Sequence, residues 1–189
     1  MPETSIRSAF PEETETLIAL IDIASTGFVR SLFGKVAPTG MPVDDFIAAR
    51  MGDPESGLSY SKLWVAEING SVAGLIALDQ TPEEIEPINP DTPEMFRPLT
   101  ELENEAPGCC LINLLATFPE FRGRGAGWAL MNFAETHRGT NGLCLTVGDT
   151  NLPAQKFYRR LGYRNVARRP VVKEDWKTPY SEWVLMVKT

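Results

Sequence analysis

The sequence predicts a mixed α/β (α+β) sheet domain, on three observations. Two apolar runs joined by Asn69-Gly70 read as an antiparallel hairpin, because both turn positions tolerate positive φ. A strand–helix–strand–helix order fills residues 109–161. The length of 189 residues suits a single domain over 1–189, and 43% hydrophobic with 23% charged residues is an ordinary globular balance.

Taken in order, Ile6–Phe10 reads as a short strand, and Pro11-Glu12-Glu13 opens a helix. Leu17, Leu20, Ile21 and Ala24 recur at i, i+3, i+4 and i+7, one apolar face of a helix that ends near Gly27. A second helical stretch covers Pro42–Met51, and Leu63–Ile68 with Val72–Leu78 form the hairpin. Asp79–Pro107 changes composition: nine acidic residues stand against one basic residue, Arg97, in a proline-rich loop insertion with a short helix around Glu94–Glu105. Cys109–Thr117 is strand-like. The helix from Gly125 to His137 has Ala126, Leu130, Phe133, Ala134 and His137 on its core face. Leu143–Val147 is a buried strand, Asn151–Leu161 a helix stopped by Gly162, and Tyr163–Val172 and Trp183–Val187 are closing strands.

Composition narrows the function. No apolar run approaches the roughly 18–20 residues needed to cross a bilayer. Met1–Phe10 lacks the basic start and apolar stretch of a signal peptide, so a cytoplasmic protein without a membrane partner is expected. A net charge of −7 argues against general affinity for nucleic acid, although Arg159, Arg160, Arg164, Arg168 and Arg169 cluster near the C-terminus. Cys109, Cys110 and Cys144 form neither a disulfide framework nor a spaced metal set, and with His137 they fall in apolar segments and read as packing; no metal is expected. The Trp176–Trp183 region reads either as a homodimer contact or as core.

The chemistry concentrates at Arg122-Gly123-Arg124-Gly125-Ala126-Gly127, where a strand runs into a glycine-punctuated turn and a helix starts at once. N–H groups at a helix start have no intrahelical partner and carry about half a positive charge. Glycines let a phosphate approach them, and Arg122 and Arg124 add charge-assisted bonds. The dinucleotide fingerprint G-x-G-x-x-G fails in both frames, at Trp128 and at Leu130, and the nucleoside triphosphate loop is absent.

This turn resembles the cofactor loop [RQ]-x-x-G-x-[GA] of the GNAT superfamily of N-acetyltransferases. The preceding Leu115-Ala116-Thr117-Phe118-Pro119 resembles that family's aliphatic-Ala-Val-x-Pro strand end, with Thr for Val. Asn151 to Tyr163 meets the family's N-x-x-A-x-x-[FL]-Y-x-x-x-G-[FY] spacing at every position. The resemblance covers about Leu111–Arg164 and implies a mostly antiparallel central sheet of about six to seven strands flanked by about four to five helices.

The resemblance further implies acetyl transfer from acetyl-CoA to a primary amine of a small molecule or peptide, by direct attack through a tetrahedral intermediate. Leu115, Ala116 and Thr117 would bond the pantetheine arm through backbone groups. Arg122, Gly123, Arg124, Gly125, Ala126 and Gly127 would hold the pyrophosphate, Asn151 would lie near the pantetheine, and Arg159 or Arg160 would meet the 3′-phosphate. Tyr158 would stand near the sulfur as general acid, with a reference pKa of about 10. Positions where relatives carry a glutamate base are Thr146 and Asn113 here, and neither titrates near neutral pH. The base stays open among Glu67, Asp79, Glu101, Glu103, Glu105 and a water relayed by Asn113 or Thr146. A non-catalytic coenzyme A binder is the alternative reading, and the acidic segment could select a cationic acceptor.

Overall fold

The computed structural model describes residues 4–189, so the start of the Met1–Phe10 stretch lies outside the described residues. Among the described residues there are seven strands and six α-helices. They run β1 (Thr4–Ser8), α1 (Thr14–Ser25), α2 (Phe28–Val36), α3 (Val43–Gly52), β2 (Leu63–Ile68), β3 (Ser71–Gln80), α4 (Arg97–Glu103), β4 (Cys109–Thr117), α5 (Ala126–Glu135), β5 (Gly142–Gly148), α6 (Leu152–Arg160), β6 (Arg164–Pro170) and β7 (Glu182–Lys188). The strand order is β1-β2-β3-β4-β5-β7-β6. β4 and β5 are parallel, while β1–β2, β2–β3, β5–β7 and β6–β7 are antiparallel. This is the mixed, mostly antiparallel sheet expected from the sequence. Chain contacts divide it into two compact units, Met1–Leu78 with Asn113–Thr136 and Asp79–Ile112 with His137–Thr189.

In the first unit the apolar periodicity of α1 works as expected. Leu17, Leu20 and Ile21 are fully buried in one cluster with Ile47 and Met51 of α3, Val65 of β2, Leu75 of β3, and Leu114 and Ala116 of β4. Burying each large aliphatic side chain contributes about 2 kcal/mol. Leu114 and Ala116 alternate with Asn113, Leu115 and Thr117, which the two-residue period of a strand puts on the other face. Gly74 of β3 is required by crowding. A Cβ there would come within 2.6 Å of the Ala116 carbonyl oxygen and 3.3 Å of Leu130 on α5. The Asn69-Gly70 turn has φ of 52° and 76°, the positive pair a tight hairpin needs.

Several boundaries differ from expectation for local reasons. β1 occupies Thr4–Ser8 and not Ile6–Phe10, because the Phe10 N–H donates to the Glu13 carboxylate at 2.9 Å and opens the Pro11–Glu13 turn. Helix α2 is additional. Thr26 and Gly27 both adopt positive φ, which ends α1 and then starts a new helix in another direction. Helix α5 stops at Glu135, and Met131 joins Ala126, Leu130 and Ala134 as its buried face, with Phe133 only half-buried against Trp64.

In the second unit, β5 is bordered by the start of β4, in register from Cys109↔Gly142 to Leu111↔Cys144, and by β7. The Trp176–Trp183 region resolves to core here. Trp176, Tyr180 and Trp183 are buried, with the two indoles stacked at 5.7 Å. Gly148 lies under the Tyr180 ring, where a Cβ would collide with it. Helix α4 is confined to Arg97–Glu103 within the loop insertion, and Arg169 of β6 binds Glu101 at 2.7 Å and also binds Glu105.

Candidate functional site

The first unit contributes a strand–turn–helix with its backbone exposed. Within this unit, residues 113–117 of β4 form the outermost strand segment, and the Phe118 N–H donates to the Ala73 carbonyl at 2.9 Å. A short 3-10 turn over Pro119–Phe121 then reverses the chain, closed by Arg122 N–H to Pro119 O at 3.2 Å and Arg124 N–H to Phe121 O at 3.3 Å. Gly123 and Gly125 adopt φ of +73° and +96°, which L side chains rarely reach, and nothing lies within 4 Å of where a Cβ would stand. Gly125 is exposed, is the N-cap of α5 and supplies no side-chain cap, so the first N–H groups of this ten-residue helix have no intrahelical partner. Arg122 is exposed without an ion pair among the described residues, and Arg124 lies 5.1 Å from the Phe121 ring centroid. The donor set and the empty space fit a pyrophosphate.

The second unit contributes α6. Its N-cap is Asn151, whose side-chain oxygen accepts from the Ala154 N–H at 3.3 Å. Asn151 and Tyr158 are seven residues apart, two turns, and share a face. Tyr158 is buried, and that burial, with a smaller push from Tyr180, raises its hydroxyl well above the ordinary phenol range. It is therefore protonated at neutral pH. Among the described residues its hydroxyl has no hydrogen bond, so its donor remains available. Arg160 is exposed and has no partner among the described residues, whereas Arg159 donates to Gln155 at 2.9 Å.

The remaining sequence candidates separate by their partners. Asn113 is exposed and donates to the Gly57 carbonyl at 3.3 Å. Thr146 is half-buried on β5 opposite Leu185. Glu67 is held by Arg7 at 2.7 Å, and Glu101 and Glu105 are held by Arg169. The Glu103 carboxyl has no hydrogen bond or ion pair among the described residues. Burial first, and Asp79 second, push its carboxyl up to about 7. The three cysteines are buried, and desolvation raises all three thiols, so they are packing groups and not thiolates at neutral pH.

Residues 33–163, more than half of the chain, match the family model described as the acetyltransferase (GNAT) family. The chain belongs to the GNAT acetyltransferase family. Solved structures agree in fold. An N-acetyltransferase from Staphylococcus aureus Mu50 has a TM-score of 0.65 at 19% identity, over 97% of this chain and 100% of that one. An apo agmatine N-acetyltransferase has a TM-score of 0.59 at 15% identity, over 98% of each chain. The ribosomal-protein-S18-alanine N-acetyltransferase from Escherichia coli has a TM-score of 0.54 at 15% identity, over 97% and 92%. No curated protein is a significant match to the sequence. GNAT enzymes in general use acetyl-CoA.

Two sets of side-chain contacts in the second unit were not readable from the sequence. Gln155 is buried on α6 between Asn151 and Tyr158, and its amide donates to the Gly148 carbonyl at 3.1 Å and the Asp149 carbonyl at 2.8 Å. It ties α6 to the end of β5. Arg169, counted in a basic cluster, neutralises two acidic-segment glutamates 64 and 68 residues away. Arg168 likewise pairs with Glu182 at 2.7 Å. Among the described residues no single helix is long and apolar enough to cross a membrane.

Proposed function

We propose that this chain transfers an acetyl group from acetyl-CoA to a primary amine of a small molecule or peptide. The observation that carries this reading is the uncapped, positive-φ glycine turn opening α5 in a GNAT chain, an anion cradle made of backbone. Gly123, Gly125, Ala126 and Gly127 present N–H groups to the pyrophosphate, with Arg122 and Arg124 alongside. The backbone of Leu115, Ala116 and Thr117 pairs with the pantetheine arm as an added strand would. Arg160 meets the 3′-phosphate. Asn151 has its amide N–H groups to spare for the pantetheine, since only its oxygen caps α6.

Chemistry then needs an amine without its proton and a proton for the departing thiolate. Tyr158, protonated and with a hydroxyl that has no hydrogen bond among the described residues, supplies that proton. Neither Asn113 nor Thr146 can accept one, so the amine is deprotonated by water relayed past them or arrives neutral. Titration of acetyl-CoA into the purified protein tests the cradle, and thiol release with an amine panel tests the transfer. One-site binding that Gly125→Glu abolishes, with turnover that Tyr158→Phe lowers, is the expected outcome. Absence of acetyl-CoA binding by folded protein overturns the reading. Tight binding with no turnover on any amine favours a coenzyme A sensor, the reading that the non-titrating Asn113 and Thr146 support.

A further inference from the structure

We propose that the acidic segment carries a binding site of its own for a small organic cation, seated on Glu103 in the cavity beside α4. The cavity has a volume of about 330 Å³ and lies wholly within the second unit. Pro82, Ile88 and Phe96 give it apolar walls, Thr100 lines it, and Glu86 and Glu103 are its only carboxylates. The size is at the small end of ligand cavities, which start at about 300 Å³. It suits one charged head group on a short carbon body.

Helical geometry separates Glu103 from its neighbours. Glu101 and Glu105 are four apart and reach the same guanidinium, that of Arg169. Glu103, two residues after Glu101 on α4, stands about 200° around the axis from it and makes no ion pair with that cation. Among the described residues its carboxyl has no ion pair and no hydrogen bond. An ionised carboxylate held there is costly unless a counter-charge joins it. The ionisable groups around it are Asp79 at the end of β3, Glu86 across the cavity and Cys144 on β5, besides the two glutamates that Arg169 neutralises. None of these is a cation.

The chemistry of the cavity favours an organic cation over a metal ion. Among the described residues no three His, Cys, Asp or Glu side chains converge to ligate a metal. The Asn104 amide, which could have served, is committed to the wall: it donates to the Glu86 carbonyl at 2.9 Å and accepts from the Glu86 N–H at 3.4 Å. That reciprocal pair holds the Glu86–Ile88 side of the cavity against the end of α4. An ammonium on Glu103 with its carbon body against Ile88 and Phe96 satisfies both the charge and the apolar walls.

The inference rests on the cavity and not on acetyl transfer, so its test omits acetyl-CoA. The protein at pH 8 is titrated calorimetrically with butylammonium and phenethylammonium, against 1-butanol and 2-phenylethanol. The ammonium ions bind at least about tenfold more tightly than the alcohols. Glu103→Gln, which removes a half-buried charge with little change of shape, erases that preference. In the unsubstituted protein, the NMR-monitored titration midpoint of the Glu103 carboxyl falls when the cation is saturating. Equal affinity for ammonium and alcohol, unchanged affinity in Glu103→Gln, or an unmoved midpoint overturns the proposal.

Discussion

At Arg122–Gly127 the chain exposes glycine backbone between two arginine side chains, whereas at Leu152–Arg160 it presents buried side chains. The turn has two glycines at positive φ, no cap on α5 and open space where Cβ atoms would stand. Helix α6 has a side-chain cap at Asn151, a buried Gln155 with two backbone acceptors and a buried Tyr158. Binding a phosphate needs many donors and tolerates small displacements, so backbone suffices. Delivering one proton needs one atom in one place, so a side chain must be immobilised around it.

The sharpest way to break this contrast is to put a side chain where the turn has none. Gly125→Glu places an L residue at φ +96° and a carboxylate among the N–H groups. Acetyl-CoA affinity should fall at least about 100-fold, equivalent to about 3 kcal/mol. The residue is exposed, so folding measured by circular dichroism should persist. Retained affinity in the folded variant would dissolve the distinction between the two regions.

Next in size is Tyr158→Phe. Under the general-acid role proposed for it, the substitution lowers kcat by about 100-fold while acetyl-CoA affinity stays close to that of the unsubstituted protein. Steady-state kinetics with a fixed amine checks the split. A parallel loss of affinity would mean that the ring packs against the ligand and that its hydroxyl donates nothing.

How much of this was readable in the sequence depends on the range of the interactions. The glycine turn and α6 were legible because their signals are local: glycine for positive φ, Asn at a cap, an apolar face at helical spacing. Helix α2 was hidden because Gly27 reads as a stop, when Thr26 and Gly27 together redirect the chain into Phe28–Val36. Glu101, Glu103 and Glu105 look equivalent along the chain. Arg169, 64 to 68 residues further on, makes two of them structural and leaves the third facing a cavity. Gln155 carried no pattern at all, since its partners are carbonyls that only the β5–α6 turn brings within reach.

That last residue sharpens the comparison from the side-chain end. Gln155→Met keeps the volume but leaves the Gly148 and Asp149 carbonyls without their donor. The cost should be about 1–3 kcal/mol, read from the denaturant midpoint. Lys156→Ala, one residue on and exposed, should change stability by no more than about 0.5 kcal/mol. If the two variants are equally stable, α6 is not held by its buried amide.

The smallest effect separates the two duties given to Asn151. Its oxygen caps α6, and its amide N–H groups are the part left for a ligand. Asn151→Ala should cost about 1 kcal/mol of stability through the lost cap. Asn151→Asp keeps an acceptor at the helix start, where a negative charge is favoured, so stability should hold or rise by a few tenths of a kcal/mol. The aspartate cannot donate, however, and acetyl-CoA affinity should drop several-fold despite the intact helix. Thermal unfolding and calorimetry on the same sample decide it. An Asp variant that matches the original protein in both would leave Asn151 as a cap alone.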